Sequence, residues 1–330
     1  MAYVGERPWH ELGNQLPANQ SIEVWAREAS MDWTIRETPV RYVPEAFAGD
    51  GATRKDGATH EPLPFEGQKV LYRSDTQTAL SVVSNRYKVV QPRAVLEFYR
   101  DLTKVSGYEL ETAGVLKEGR KFWALAKTGK ETVLKGGDLV KGYILLATSC
   151  DGTLATTATP TTIRVVCNNT LGMALNAADG AVKVPHNQVF DPRAVKEHLG
   201  IAVGRWDEFM YSMKTMSERK VKEAEVERFL RKVVCLDESP VARVPAAVSS
   251  IQMVNTRALN QVKELFNGQA RGASMASAKG TAWGLLNAVT QFVDHERRAR
   301  SQDSRLDSAW FGAGASLKGR ALTEALALID

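Results

Sequence analysis

The stretch TTIRVVCNNTL, residues 161–171, holds the residue types most able to do chemistry. A β-branched run carries Arg164 into Cys167. Asn168, Asn169 and Thr170 follow, ahead of a further apolar run. Two chemistries can be built from these types. A cysteine at the end of a strand, just before a helix, is the arrangement of a nucleophile whose thiolate is stabilised by helix N-terminal amides. That reading needs a base, and no sequence neighbour supplies one. Alternatively, Asn168, Asn169 and Thr170 cap the first turn of a helix. Arg164 beside those amides then forms a phosphate site. Cysteine in a β-branched run is ordinarily a small buried hydrophobe. The expectation is therefore a helix opening near residue 168, a phosphate grip made by Arg164 and Asn168, and an inert Cys167.

A second set of candidates lies on segments with strand character. Lys69, Arg73, Arg86, Lys88, Arg120 and Lys121 interleave with Tyr87, Phe122 and Trp123. Cations alternating with aromatic rings suit single-stranded nucleic acid, where phosphates pair with the cations and bases stack on the rings. The plainer account is that alternating charges mark the wet face of a sheet. Catalytic signatures are missing. His10-Glu11 lacks the second histidine of a zinc-protease helix, and no phosphate loop, dinucleotide fingerprint or paired-cysteine finger occurs. Asp138, Asp151, Asp179 and Asp191 follow no metal-binding spacing. Asp294-His295 reads as a dipole partner near a helix C-terminus. No catalytic residue, metal or cofactor is expected.

These residues need elements to position them. Residues 33–170 read mainly as strands and 187–330 mainly as helices. A hairpin turns at Ser74–Thr76, and Pro92 opens a helix whose apolar face is Val95, Phe98, Tyr99, Leu102 and Val105. A second hairpin turns at Lys117–Gly119, and Asp151-Gly152 joins two further strands. Asp191-Pro192 starts the helical half. Val195, Leu199, Val203, Trp206, Met210 and Met213 form one face, and Ser217 is read as the cap of the next helix. Later helices are expected at about 250–267, 277–299 and 316–329. The segment 44–64, rich in Gly, Pro, Ala and charge, reads as a mobile surface loop. The fold class is α+β: antiparallel hairpins with packed helices over residues 1–186, then a mainly helical region over 187–330.

Composition sets outer limits. The net charge of +5 favours an anionic partner without a polybasic tail. No apolar run approaches the roughly 20 residues of a membrane span. The N-terminus has no signal-peptide pattern. Three widely spaced cysteines fit a reducing cytoplasm.

Three stretches, GERPWHELG (5–13), DGTLATTATPTTIRVVCNNTL (151–171) and WGLLNAVTQFVDHERR…FGAGASLKGRAL (283–322), resemble the phage/plasmid-like family that carries the bacterial domain of unknown function 932. The resemblance implies a phage, prophage or plasmid origin and a bacterial host cytoplasm. A more distant, topological likeness is to single-strand annealing proteins of the RecT and lambda Beta type, which form rings or filaments on single-stranded DNA without catalysis. The expected function is single-stranded DNA binding and annealing by a homo-oligomer. The strand-borne cations, Trp123, Arg164 and Asn168 are the expected contacts. A nuclease of phage DNA metabolism and a host-interaction or anti-defence protein are the alternatives. The apolar face of Trp283, Leu286, Val289, Phe292 and Val293 is read as a core face by default and offered as a contact with the next subunit.

Overall fold

Phe122-Trp-Ala-Leu-Ala126 is apolar at both parities, a pattern that suits a strand covered on both faces. The computed structural model places it at the centre of a large sheet. The structure describes residues 1–8, 10–44, 61–167, 169–172, 181–204, 206–234 and 256–330. Most of the segment 44–64 lies outside them, as does Asn168.

The chain opens with β1 (Ala2–Val4), β2 (Asn14–Leu16) and α1 (Ile22–Glu28), the helix capped by Ser21, whose Oγ accepts from the Val24 amide. A three-stranded sheet follows, β3 (Ile35–Tyr42), β4 (Leu63–Arg73) and β5 (Ala79–Ser84), and then α2 (Pro92–Ser106). The antiparallel meander β6 (Glu109–Leu116), β7 (Lys121–Leu134), β8 (Asp138–Ser149), β9 (Thr156–Arg164) forms most of the large sheet. Its order is β10-β9-β8-β7-β6-β1-β2, with β10 at Asn169–Gly172 and β11 (Val182–Val184) also pairing with β9.

The helical half is α3 (Pro192–Gly204), α4 (Trp206–Glu218), α5 (Glu223–Val234), α6 (Thr256–Glu264), α7 (Ala282–Gln291), α8 (Gln302–Phe311) and α9 (Ala313–Leu326). Single π-turns extend α6 over Leu265–Gln269 and α7 over Phe292–Glu296. The α+β class and the antiparallel hairpins are as the sequence predicts.

Strand parity sorts the sheet's side chains. Phe122, Ala124, Ala126, Ile144 and Leu146 join one core with Trp25, Phe98, Tyr99 and Val195. Trp123, Leu125, Tyr143 and Ala147 face the opposite way, toward Leu306 and Trp310 of α8. Tyr99 fixes α2 to the sheet by donating its hydroxyl to the carbonyls of Ala124 and Ile144 at 2.9 and 3.0 Å. A third core joins α4–α7 and α9 to Leu134, Val140 and Leu171 of the sheet. The helical half thus buries its apolar faces partly on the strand-rich half. Gly142 permits one close contact of this kind, since a Cβ there would collide with the Trp206 ring.

Several sequence expectations are corrected. The predicted face Val195–Met213 is split between two helices: Val195 and Leu199 enter the first core, whereas Trp206, Met210 and Met213 enter the third. Ser217 does not cap a helix start. It lies inside α4 and donates to the Lys214 carbonyl. The helix expected from 277 starts at Ala282, where Thr281 Oγ1 accepts from the Gly284 amide. Trp283, Leu286, Val289, Phe292 and Val293 are buried within this chain, so the monomer core takes the face offered to a neighbouring subunit.

Candidate functional site

No helix starts after Cys167. Residues 165–167 form a turn, and Asn169–Gly172 returns as β10, antiparallel to β9 with Asn169 opposite Arg164. The polar run that looks like a cap instead faces inward. Asn169 Nδ2 donates to Thr290 Oγ1 at 3.0 Å and to the Asn287 carbonyl at 3.4 Å. The Thr170 amide and hydroxyl donate to Asp294 Oδ2 at 2.9 and 3.2 Å. Lys318 Nζ closes the cluster, 2.8 Å from both Asp294 Oδ1 and Thr170 Oγ1. The Lys318 and Asp294 side chains are 5% and 0% exposed, so this is a buried, hydrogen-bonded ion pair.

Arg164 has a similar fate. Its side chain is 2% exposed, and its Nε lies 2.9 Å from both oxygens of fully buried Asp138. The Nη groups donate to the carbonyls of Arg271 and Gly272 at 3.4 and 3.1 Å. Ser277 Oγ at 2.6 Å and Trp283 Nε1 at 3.1 Å complete the donors to Asp138. An arginine whose fork is filled by a carboxylate and two carbonyls has no face left for a phosphate. The expected grip at Arg164 is therefore corrected to a clasp between β9 and the segment before α7.

Cys167 is buried. Burial pushes its thiol up to about 11, the Arg164 guanidinium opposing only in part. Cys150 is likewise driven up to about 12 by burial. A thiol protonated at neutral pH is a poor nucleophile.

The strand cations divide into two groups. Lys69 pairs with Glu37 at 2.8 Å and donates to the Tyr87 carbonyl. Arg73 holds Asp75 in a two-pronged bond and lies 4.0 Å over the Trp33 ring. Lys121 is covered by α8 and pairs with Asp307 at 2.6 Å. Trp123 is fully buried, edge-on to Trp310 at 4.7 Å. These four are corrected from surface contacts to packing and pairing.

Arg86, Lys88 and Arg120 are exposed. Arg86 and Lys88 follow β5 of the smaller sheet, and Arg120 precedes β7 of the large one, close to the end of β8 at Ser149. The Tyr87 ring stacks on His186 at 4.4 Å and 17°. The Tyr87 hydroxyl donates to the Ser149 carbonyl at 2.9 Å, and burial raises its pKa. The Lys88 amide donates to the His186 carbonyl, and the Cys150 amide to that of Arg120. The His186 ring nitrogens face the carbonyls of Leu154 and Lys88 at 2.9 and 3.2 Å. Sequence reasoning names the three cations and Tyr87 but misses His186, whose isolated position carries no signal.

The carboxylates considered for metal binding have separate uses. Asp138 serves Arg164, Asp151 accepts from Thr153 in its turn, and Asp191 accepts from the Arg193 amide at the start of α3. Asp179 lies outside the described residues. Among the described residues no three His, Cys, Asp or Glu side chains are grouped as a metal site requires. Among them, too, no helix is long and apolar enough to cross a membrane.

The fold and this surface define an α+β protein with a sheet buried on both faces and a small basic, aromatic edge. Residues 79–310 match the family described as "Domain of unknown function (DUF932)", and the chain belongs to that family. No curated protein and no solved structure matches it.

Proposed function

We propose that the chain binds single-stranded DNA without catalysis and serves annealing in a phage or other mobile element. The strand runs over the surface that carries Arg86, Lys88, Arg120 and the Tyr87–His186 stack. The supporting observation is that juxtaposition. Three exposed cations form no ion pair among the described residues; Arg86 and Lys88 adjoin Tyr87 of the stacked pair, and the Arg120 carbonyl accepts from the Cys150 amide, next to the Ser149 carbonyl that holds the Tyr87 hydroxyl. Phosphates neutralise the cations, and bases extend the stack without sequence preference. Annealing needs many chains on one strand, so the active form is a homo-oligomeric ring or filament.

Fluorescence anisotropy of a labelled oligothymidylate across a salt series tests the reading. The single strand should bind tighter than duplex. The triple variant Arg86→Glu/Lys88→Glu/Arg120→Glu should lose most of the affinity. At about 0.7 per phosphate contact, its log–log salt slope should fall by roughly 2. An unchanged affinity and slope in the triple variant would remove this surface from the reading. Negative-stain images with and without the oligonucleotide test the assembly.

A further inference from the structure

Away from the basic edge, on the sheet face covered by α8, two cavities adjoin. One of about 220 Å³ is walled by Ile163, Val165 and Trp310, with Glu111, Lys127 and Tyr143 along its polar side. The other, of about 350 Å³, is lined by Arg7, Arg271, Arg305, His295, Glu11 and Glu296. They share Arg7 and Pro8. We infer that together they form a nucleotide site, with the base in the first cavity and the phosphate in the second.

The chemistry of each compartment carries this. The first cavity is apolar and aromatic on one side. On the other, Lys127 Nζ lies 2.5 Å from Glu111 Oε2, which also accepts from the Tyr143 hydroxyl at 3.4 Å. A slot with a ring wall and both a donor and an acceptor at its edge suits a heterocyclic base.

Asp294 also borders the second cavity, but its carboxylate is held by Lys318 and Thr170. Three arginines then stand against two glutamates, an excess of positive charge that suits a phosphate monoester. Arg7 spends one Nη on the Glu11 carbonyl, and Arg305 spends one on the His295 carbonyl, which leaves each guanidinium further donors. A pocket with apolar walls and a few convergent polar groups is the ordinary form of a small-molecule site.

The site lies apart from the edge that carries Arg86, and neither needs the other. Its ligand is either a free nucleotide or the terminal nucleotide of a strand.

Isothermal titration with deoxyadenosine 5′-monophosphate, deoxyadenosine and inorganic phosphate tests the site. The monophosphate should bind at least about tenfold tighter than either part, because both compartments act on one molecule. Arg271→Glu should weaken the monophosphate about tenfold or more and leave deoxyadenosine unchanged. The Arg271 side chain is exposed, and only its backbone carbonyl serves Arg164, so this variant should fold. Val165→Trp, which fills the first cavity, should abolish binding of both adenosine ligands. Lys127→Ala replaces it if it does not fold. The Arg86/Lys88/Arg120 charge reversal should leave monophosphate binding intact, which separates this site from the strand surface.

Competition between the free monophosphate and a 5′-phosphorylated oligonucleotide identifies the source, and a preference for either supports the site. A monophosphate that binds no better than phosphate, or that binds the folded Arg271 and cavity variants as it binds the parent, overturns it.

Discussion

Arg164→Ala distinguishes clasp from grip. The substitution empties a position where one guanidinium serves both oxygens of Asp138 and two backbone carbonyls. It leaves the carboxylate with Ser277 and Trp283 as donors and a negative charge with no cation beside it. Removing one partner of a buried ion pair costs about 3–5 kcal/mol. Domain stabilities are about 5–15 kcal/mol, so the variant should unfold at markedly lower urea. Single-stranded DNA affinity, measured where the variant is still folded, should be unchanged.

Replacing both partners, Arg164→Met with Asp138→Leu, should recover part of the loss, since apolar substitutes for buried pairs are often close to neutral. Recovery should be incomplete because Ser277 and Trp283 lose their acceptor. An Arg164→Ala variant with the parent's urea midpoint and weakened DNA binding would refute the clasp and restore the phosphate grip.

Lys318→Met should likewise cost about 3–5 kcal/mol by leaving Asp294 buried with Thr170 alone, and Lys318→Met with Asp294→Asn should be milder, as thermal melts would show. His10 provides a pH test. Burial and the nearby Met1 ammonium hold its imidazole down to about 4, so the folded chain keeps it neutral while the unfolded chain protonates it near 6.5. Its contribution is complete above pH 6.5 and is lost as pH falls toward 4, about 3 kcal/mol in total. His10→Gln should flatten urea stability over that interval, and an unchanged slope would exclude His10 as its source.

The hairpins were legible because their signals are local. Asp151-Gly152 and the β-branched runs around it are enough to set a turn and two strands. The site was legible only in part. Arg86, Lys88 and Arg120 stay exposed, whereas Lys69, Arg73 and Lys121 pair with Glu37, Asp75 and Asp307. Two of those carboxylates come from other elements, and nothing in strand alternation announces them. The misreading of Asn169 and Thr170 has the same origin. Their types suit a helix cap, but their partners are Thr290 and Asp294, more than 100 residues further along. The helix α8, which covers the second face of the sheet, went unforeseen because its apolar residues are few and Trp310 and Leu306 do not form a long stripe.

The Lys318 clasp bears on how the chain is made. Lys318 and Thr170 lie 148 positions apart, and Ser277 and Asp138 lie 139 apart. A ribosome therefore releases the meander long before it releases the cation that neutralises Asp294. Contacts of such long separation form late and slowly. Until α9 emerges, Trp283 and its apolar neighbours have only part of their cover, a condition that invites aggregation or chaperone capture. A stop codon at position 318 would remove Lys318 itself. Messages truncated there should yield protein that is degraded rather than a shortened, working form.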